Sequence, residues 1–201
     1  MGFFKRRSAS SGFRGRLKAK NRDYVTPSYW NTEQPLPMLD KERPGQGYRH
    51  ILRREDLYAF IEMIPNWDEL AKGLDGVLLA PGDPGCFGWY DQRGIVGLCA
   101  WERGLWVELP RDFYDQEIEV FQRLGVEVER RKKWVLCKFS EPQAKAYQLL
   151  NIFLHELGHH HDRMTTKSKL DCARGEPYAD AYALRYEAEI WDSYLRRFEL
   201  M

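Results

Sequence analysis

The spacing of apolar residues changes period along the chain, and each change marks an element. Over residues 54–64, Leu57, Phe60, Ile61 and Ile64 recur at helical spacing, and Pro65 ends the run. A short second helix is expected from Asn66 or Trp67 to about Lys72, stopped by Gly73. The texture then turns to strand. Residues 77–80 are an apolar run closed by Pro81-Gly82-Asp83-Pro84-Gly85, which is turn chemistry. Residues 87–90 and 95–101 flank Asp91-Gln92-Arg93-Gly94, a hairpin signal, and residues 105–109 form a strand ended by Pro110. Together these predict a small, mostly antiparallel sheet. Residues 112–124 read as helix, with Gly125 as its C-terminal stop. Residues 126–128 and 134–139 give one more hairpin, and the basic run Arg130-Arg131-Lys132-Lys133 is its solvated tip.

Ser140 is a good N-cap and Pro142 suits a first turn, so a helix starts there. Ala146, Leu149, Leu150, Phe153, Leu154 and Leu157 repeat at helical spacing, so much of this helix is buried. A polar loop follows over residues 164–172. Pro177 and the pattern Ala179, Tyr182, Ala183, Tyr186, Ile190, Tyr194, Leu195, Phe198 define a long amphipathic helix to the end. Runs of strands and then helices give an α+β fold.

Composition adds limits. With 201 residues, seven Trp, eleven Tyr and ten Phe, the chain can build one real core. The net charge of +1 gives no overall bias toward nucleic acid or anionic membrane, and no apolar run approaches a membrane span. Cys86, Cys99, Cys137 and Cys172 contain no C-x-x-C pair, and no secretory signal is visible. They read as reduced core or loop cysteines of a cytoplasmic protein.

Residues 1–45 differ from the remainder, which is expected to fold as one domain over residues 46–201 with its first element near Tyr48. The stretch 5–22 carries Lys5, Arg6, Arg7, Arg14, Arg16, Lys18, Lys20 and Arg22 and no acidic residue before Asp23. A solvated, disordered arm is the plain reading. Contact with nucleic acid or an acidic partner, or an organellar transit peptide, is the functional one. A linker with Pro27, Pro35, Pro37 and Pro44 follows, anchored by Tyr29 and Trp30.

The chemistry sits in the buried helix. His155-Glu156-Leu157-Gly158-His159 is an H-E-x-x-H motif. Residues four apart share a helix face, so both imidazoles can meet one small volume, as a tetrahedral Zn²⁺ requires. Glu156 is placed to act as general base on a water there. Burying His155, Glu156 and His159 together on an apolar helix is costly unless a metal resolves the polarity. Gly158 costs about 1 kcal/mol relative to Ala in a helix interior, which a close approach beside the site explains. His160 and His161 are rotated off this face and read as surface or helix-terminal residues. His50 reads as structural. The third ligand comes from another element. Glu176 and Asp180, at the start of the last helix, can both face the motif helix, and Asp162 is the second choice.

The pair His155-Glu156-Leu157-Gly158-His159 and Glu176-Pro177-Tyr178-Ala179-Asp180 resembles the H-E-x-x-H … E-x-x-x-D signature of the gluzincin zinc metallopeptidases, over residues 140–190. The resemblance implies a minimal zincin-like domain in which His155, His159 and Glu176 bind one Zn²⁺ per chain. Glu156 is then the base, and Asp180 hydrogen-bonds a ligand histidine. Arg174, Tyr178 and Tyr182 are the nearby candidates for oxyanion or substrate contacts. The implied activity is hydrolysis of a peptide or protein substrate, with no membrane role. The substrate backbone is expected on a strand edge, either residues 105–109 or residues 134–139. The competing class is a catalytically silent zincin-fold binding or regulatory protein, which the basic arm would associate with nucleic acid.

Overall fold

Val77, Leu78, Leu79 and Ala80 are shielded from solvent on both faces, and the larger sheet is built around them. In the computed structural model, residues 7–8, 36–166 and 172–198 are described. The elements in chain order are β1 (Arg7–Ser8), β2 (Met38–Lys41), β3 (Tyr48–Arg49), α1 (Arg54–Ile61), α2 (Trp67–Leu70), β4 (Gly76–Ala80), β5 (Gly88–Asp91), β6 (Ile95–Cys99), β7 (Trp101–Glu102) and β8 (Trp106–Pro110). They continue with α3 (Arg111–Gln116), α4 (Ile118–Arg123), β9 (Glu127–Arg130), β10 (Trp134–Lys138), α5 (Glu141–Ala146), a π-helical stretch (Tyr147–Phe153), α6 (Leu154–Thr165) and α7 (Gly175–Phe198). The fold is α+β.

The larger sheet has the order β1-β5-β6-β4-β2. It is mixed, which corrects the mostly antiparallel meander expected from sequence. Only β5 and β6 pair antiparallel; β4 pairs parallel with β6 on one edge and with β2 on the other. The physical reason lies in β4. A continuously apolar strand buried on both faces is typical of parallel pairing at both edges. The second edge comes from Met38–Lys41, a segment that the prolines around it mark as linker in the sequence. The folded unit therefore includes residues ahead of the expected start at 46. Arg7–Ser8 lies parallel to Trp89–Tyr90 on the opposite edge. The arm from residue 9 to residue 22, Tyr29 and Trp30 fall outside the described residues.

The expected hairpin between β5 and β6 forms over Asp91 to Gly94. Gly94 has φ +81°, and its N–H donates to the Asp91 carbonyl at 2.8 Å. A second sheet, order β8-β10-β9, is antiparallel throughout. Because β10 is its central strand, both its edges are taken. Residues 134–139 therefore offer no edge to a peptide, in contrast to the expectation, whereas β8 pairs on one side only among the described residues. The basic tip is exposed as expected, with Arg131 bonded to Glu108 and Glu129.

Two helices depart from their periodicity. The helix expected over 112–124 breaks at Glu117, whose backbone (φ −102°, ψ 10°) leaves the helical region. The long helix begins as expected at Ser140, whose Oγ accepts from Gln143 N–H while Gln143 Oε1 accepts from Ser140 N–H. It then widens to π geometry over Tyr147–Phe153 before returning to α geometry at Leu154. All seven π-helical residues are buried. The two polar ones are bonded: Gln148 Nε2 donates to the Cys99 carbonyl at 2.6 Å, and Asn151 Nδ2 to Glu117 Oε2 at 3.3 Å. Such stretches are rare and often adjoin functional sites.

The most extensive contact between elements is that of α6 with α7. It is closest at Gly158. A Cβ there would stand 2.8 Å from Ala179 Cα and 3.1 Å from the Ala179 carbonyl oxygen. This is the close approach that a glycine inside the helix predicted. No helix among the described residues is long and apolar enough to cross a membrane. None of the four cysteines is in a disulfide.

Candidate metal centre

The α6–α7 crossing sets the geometry of the motif. Ala179 is held against Gly158, so Glu176, three residues before it, and Asp180, one residue after, are brought to the face of α6 that carries His155 and His159. His155 Nε2 and His159 Nε2 are 3.1 Å apart. Glu176 Oε2 is 3.1 Å from His155 Nε2, and Glu176 Oε1 is 3.5 Å from His159 Nε2. Among the described residues, His155, His159 and Glu176 are the group whose ligand atoms converge in this way.

Asp180 Oδ1 stands 2.8 Å from His155 Nδ1. That contact fixes the tautomer of a neutral ring: the proton is on Nδ1 and donates to Asp180, so Nε2 presents a lone pair. For that neutral ring, Nε2 and the carboxylate oxygen it faces at 3.1 Å are both acceptors. Two acceptors converging at that distance repel unless a cation lies between them. Glu176 is fitted to be one of them in ionised form. Partial burial raises its pKa, but the facing imidazoles of His155 and His159 more than reverse this and hold it below the usual carboxylate range.

The separations can be compared with a metal directly. Ligand atoms about 2.0–2.1 Å from a tetrahedral zinc stand roughly 3.3 Å apart. The Nε2–Nε2 separation of 3.1 Å and the 3.1 Å from His155 Nε2 to Glu176 Oε2 are close to that edge length, the 3.5 Å from His159 Nε2 is to the other Glu176 oxygen, and one ligand atom from each of the three residues lies within 4.8 Å of the others. The residues therefore fit the group. Both histidine side chains are fully or almost fully buried, whereas the Glu176 side chain is 47% exposed. Access from solvent is on the Glu176 side.

Glu156 is 1% exposed. It lies against β5, where Gly88 makes room: a Cβ on Gly88 would stand 2.4 Å from Ile152 Cγ2 and 3.5 Å from Glu156 Cγ. The base candidate is thus packed between helix and sheet.

Asp162, the alternative third ligand, has another task. Its Oδ1 accepts from Arg174 Nε at 2.8 Å, and its Oδ2 accepts from the backbone N–H groups of Arg174 at 2.7 Å and Gly175 at 3.3 Å. This buried carboxylate caps the start of α7 and so positions Glu176, two residues on. Arg174 is further bonded to Thr165 Oγ1 and lies 4.0 Å over the Tyr178 ring. Tyr178 Oη pairs with His161 Nδ1 at 2.6 Å, and the Tyr182 ring packs 5.2 Å from the His161 ring. Arg174, Tyr178 and Tyr182 thus contact Asp162, Thr165, His161 and one another, and Tyr182 also packs against Tyr186 and Arg185.

His160 departs from the sequence reading. It is 1% exposed rather than on the surface, with Nδ1 3.1 Å from Tyr90 Oη and Nε2 3.0 Å from the Lys72 carbonyl. Burial lowers its pKa to about 4, so it is neutral in the fold. Arg163 donates to the same Tyr90 Oη at 2.8 Å. This network locks α6 to β5. It is invisible in the sequence because Tyr90 lies 70 residues from His160. His50 is structural as expected, its Nε2 2.8 Å from the Glu42 carbonyl. Cys172 Sγ is 3.3 Å from the His159 carbonyl and serves the loop rather than the cluster.

Compared with protein families, with curated proteins and with solved structures, the chain matches none.

Proposed function

We propose that the chain is a zinc-dependent metallopeptidase built as a compact, zincin-like domain, with the gluzincin arrangement of ligands. The observation that carries this reading is the convergence of one ligand atom each from His155, His159 and Glu176 within 4.8 Å of one another, on residues from two helices. His155, His159 and Glu176 would hold the ion. Zinc bound there would lower the pKa of a coordinated water and polarise a substrate carbonyl. Asp180 keeps the proton of His155 on Nδ1 and the ring in its ligating orientation. Glu156 takes a proton from the attacking water and passes it to the leaving amine. The burial of Glu156 keeps competing water away and strengthens its interaction with the reacting groups.

The test is a pair of measurements on Glu156→Gln. The variant keeps zinc and loses peptide cleavage by roughly 10²–10⁴-fold, as removal of a general base requires. Intact cleavage by that variant contradicts the assignment. A second reading, a zinc-holding regulatory protein that cleaves nothing, is favoured by the near-complete burial of Glu156 and His155. Under it, a proteome-wide comparison of wild type with Glu156→Gln shows no difference in cleaved peptides.

A further inference from the structure

Cys86 and Cys99 are brought into contact where β5 and β6 pair. Cys99 Sγ–H donates to Cys86 Sγ at 3.6 Å, and Cys86 Sγ–H donates to the Gly88 carbonyl at 3.2 Å. The strand ladder sets this contact. Gly88 pairs with Leu98, and Cys99 N–H donates to the Phe87 carbonyl at 3.0 Å. Cys99 is the last residue of β6. It is held on its other side by Ala80 of β4, and its carbonyl accepts from Gln148 Nε2 at 2.6 Å. Cys86 instead closes a turn: its N–H donates to the Asp83 carbonyl at 3.0 Å, and Gly85 within that turn has φ +73°. With Leu78, Ala80, Trp89 and Ile95, the two cysteines form a small apolar cluster separate from the main core.

The two thiols differ in access. A cavity of about 370 Å³ opens beside the turn, and Cys86 lines it together with Asp83, Pro84 and Gly85. Cys99 is buried more deeply than Cys86. Cys99 also stays protonated: its hydrogen bond to Cys86, its burial and the nearby charges of Cys86, Asp83 and Glu156 all raise its pKa. A protonated donor on Cys99 supports a thiolate on Cys86. Cys137 gives the contrast. It is sealed in the main core, and burial pushes its thiol up to about 12. An accessible thiol beside a resolving thiol is the arrangement of a redox-responsive pair, whereas a sealed thiol is inert.

We infer that Cys86 and Cys99 are a reversible thiol–disulfide site, oxidised by a small hydroperoxide that enters through the cavity. The Cys86 thiolate attacks one peroxide oxygen, and the O–O bond breaks. One oxygen stays as the Cys86 sulfenic acid, and the other leaves as hydroxide and takes a proton to become water. Cys99 sulfur then attacks Cys86 sulfur and gives up its proton. The S–O bond breaks, and a second water leaves. Two thiols are thereby oxidised by two electrons and one peroxide is reduced. A bonded S–S pair stands about 2.05 Å apart, so the sulfur atoms must close by roughly 1.5 Å. The turn supplies that movement, because Cys99 is fixed by strands on both sides. Closure ends the donation of Cys86 to Gly88 and draws one wall of the cavity toward β6. A dithiol restores the starting state by exchange. The site does not depend on zinc or on peptidase activity.

The experiment treats the reduced full chain with hydrogen peroxide, blocks the remaining thiols with iodoacetamide and digests with trypsin in the absence of reductant. Cleavage after Lys72, Arg93 and Arg103 places the two cysteines on separate peptides, residues 73–93 and 94–103. These peptides are expected to stay joined, lighter than their sum by two hydrogens, and to part when dithiothreitol is added. Joined peptides that contain Cys137 or Cys172 are expected at least about tenfold less often, because contact raises the effective concentration of one thiol at the other. In Cys99→Ala the reaction stops at the sulfenic acid, which dimedone traps on Cys86. In Cys86→Ala, Cys99 collects at least about tenfold less dimedone, as its burial requires. Far-UV circular dichroism checks that both variants fold, and the wild-type peptide map decides the inference without them. Separately alkylated peptides, at a peroxide dose that already oxidises the methionines, would overturn the inference. Pairing of Cys86 with Cys137 or Cys172 as often as with Cys99 would do the same, and equal trapping on Cys99 would overturn entry through the cavity.

Discussion

Replacing Gly158 with Ala tests whether the α6–α7 crossing assembles the metal centre. The added Cβ would lie 2.8 Å from Ala179 Cα, 3.1 Å from its carbonyl oxygen and 3.2 Å from its Cβ. Carbon atoms in ordinary contact stand about 3.5–4.0 Å apart, so the helices must separate by roughly 0.7–1.2 Å at this point. The nearest obstacle is backbone, which cannot rotate away as a side chain would. Overpacking of this kind costs about 1–3 kcal/mol. Ala gains about 1 kcal/mol over Gly in helix propensity. The net expectation is a loss of about 0–2 kcal/mol. The shift also acts on function, because α7 carries Glu176 and Asp180 on either side of Ala179. Moving that helix lengthens the 2.8 Å contact of Asp180 with His155 and opens the cluster. Zinc affinity is then expected to fall about 10–100-fold, the usual effect of disturbing groups that orient a ligand. Urea unfolding of the metal-free protein measures the first effect, and zinc titration against a chromophoric chelator measures the second. A variant more stable than wild type by about 1 kcal/mol with unchanged zinc affinity would show propensity acting alone and refute the reasoning.

Three further outcomes follow from named contacts. Asp180→Ala weakens zinc binding about 10–100-fold without abolishing it, since only the orientation and basicity of His155 are lost; an unchanged affinity in the chelator competition contradicts this. Asp162→Asn lowers stability by about 1–3 kcal/mol because Arg174 and the first N–H groups of α7 lose a charged acceptor, and zinc stoichiometry is retained. Loss of zinc with full stability would make Asp162 a ligand after all. Glu187 is raised from 4.5 to about 7 by burial, although Arg123 beside it pulls the other way. The folded state therefore binds the extra proton between those values, so this group's contribution to stability is fully present below pH 4.5 and is lost as pH rises through 7. The stability difference between wild type and Glu187→Gln changes by roughly 3 kcal/mol between pH 4.5 and pH 8; a pH-independent difference in urea unfolding contradicts the assignment.

The helices around the site were legible because their signals are local. Ser140 and Gln143 form a capping box within four residues, and His155 and His159 share a face wherever the backbone is α-helical. Glu176 and Asp180 could be nominated because Pro177 marks the helix start beside them. The sheet was less legible, since parallel pairing joins segments far apart in sequence. Nothing within Met38–Lys41 states that it will lie beside Gly76–Ala80. The π-helical turn was hidden too, because its residues are all buried and the apolar spacing across it reads as ordinary α-helix. His160 was misplaced for the same reason: its burial comes from Tyr90 and the Lys72 carbonyl, contacts that only the folded chain brings together.

The most direct test of the central claim is the zinc content of purified, zinc-equilibrated protein by elemental analysis. About one ion per chain is expected for wild type and Glu156→Gln, and close to none for His155→Ala and Glu176→Ala, as a single three-ligand site implies. An imidazolium at His155 bridging Asp180 and Glu176 would account for the same contacts without metal. Zinc-free wild type, or full zinc in Glu176→Ala, would therefore contradict the account.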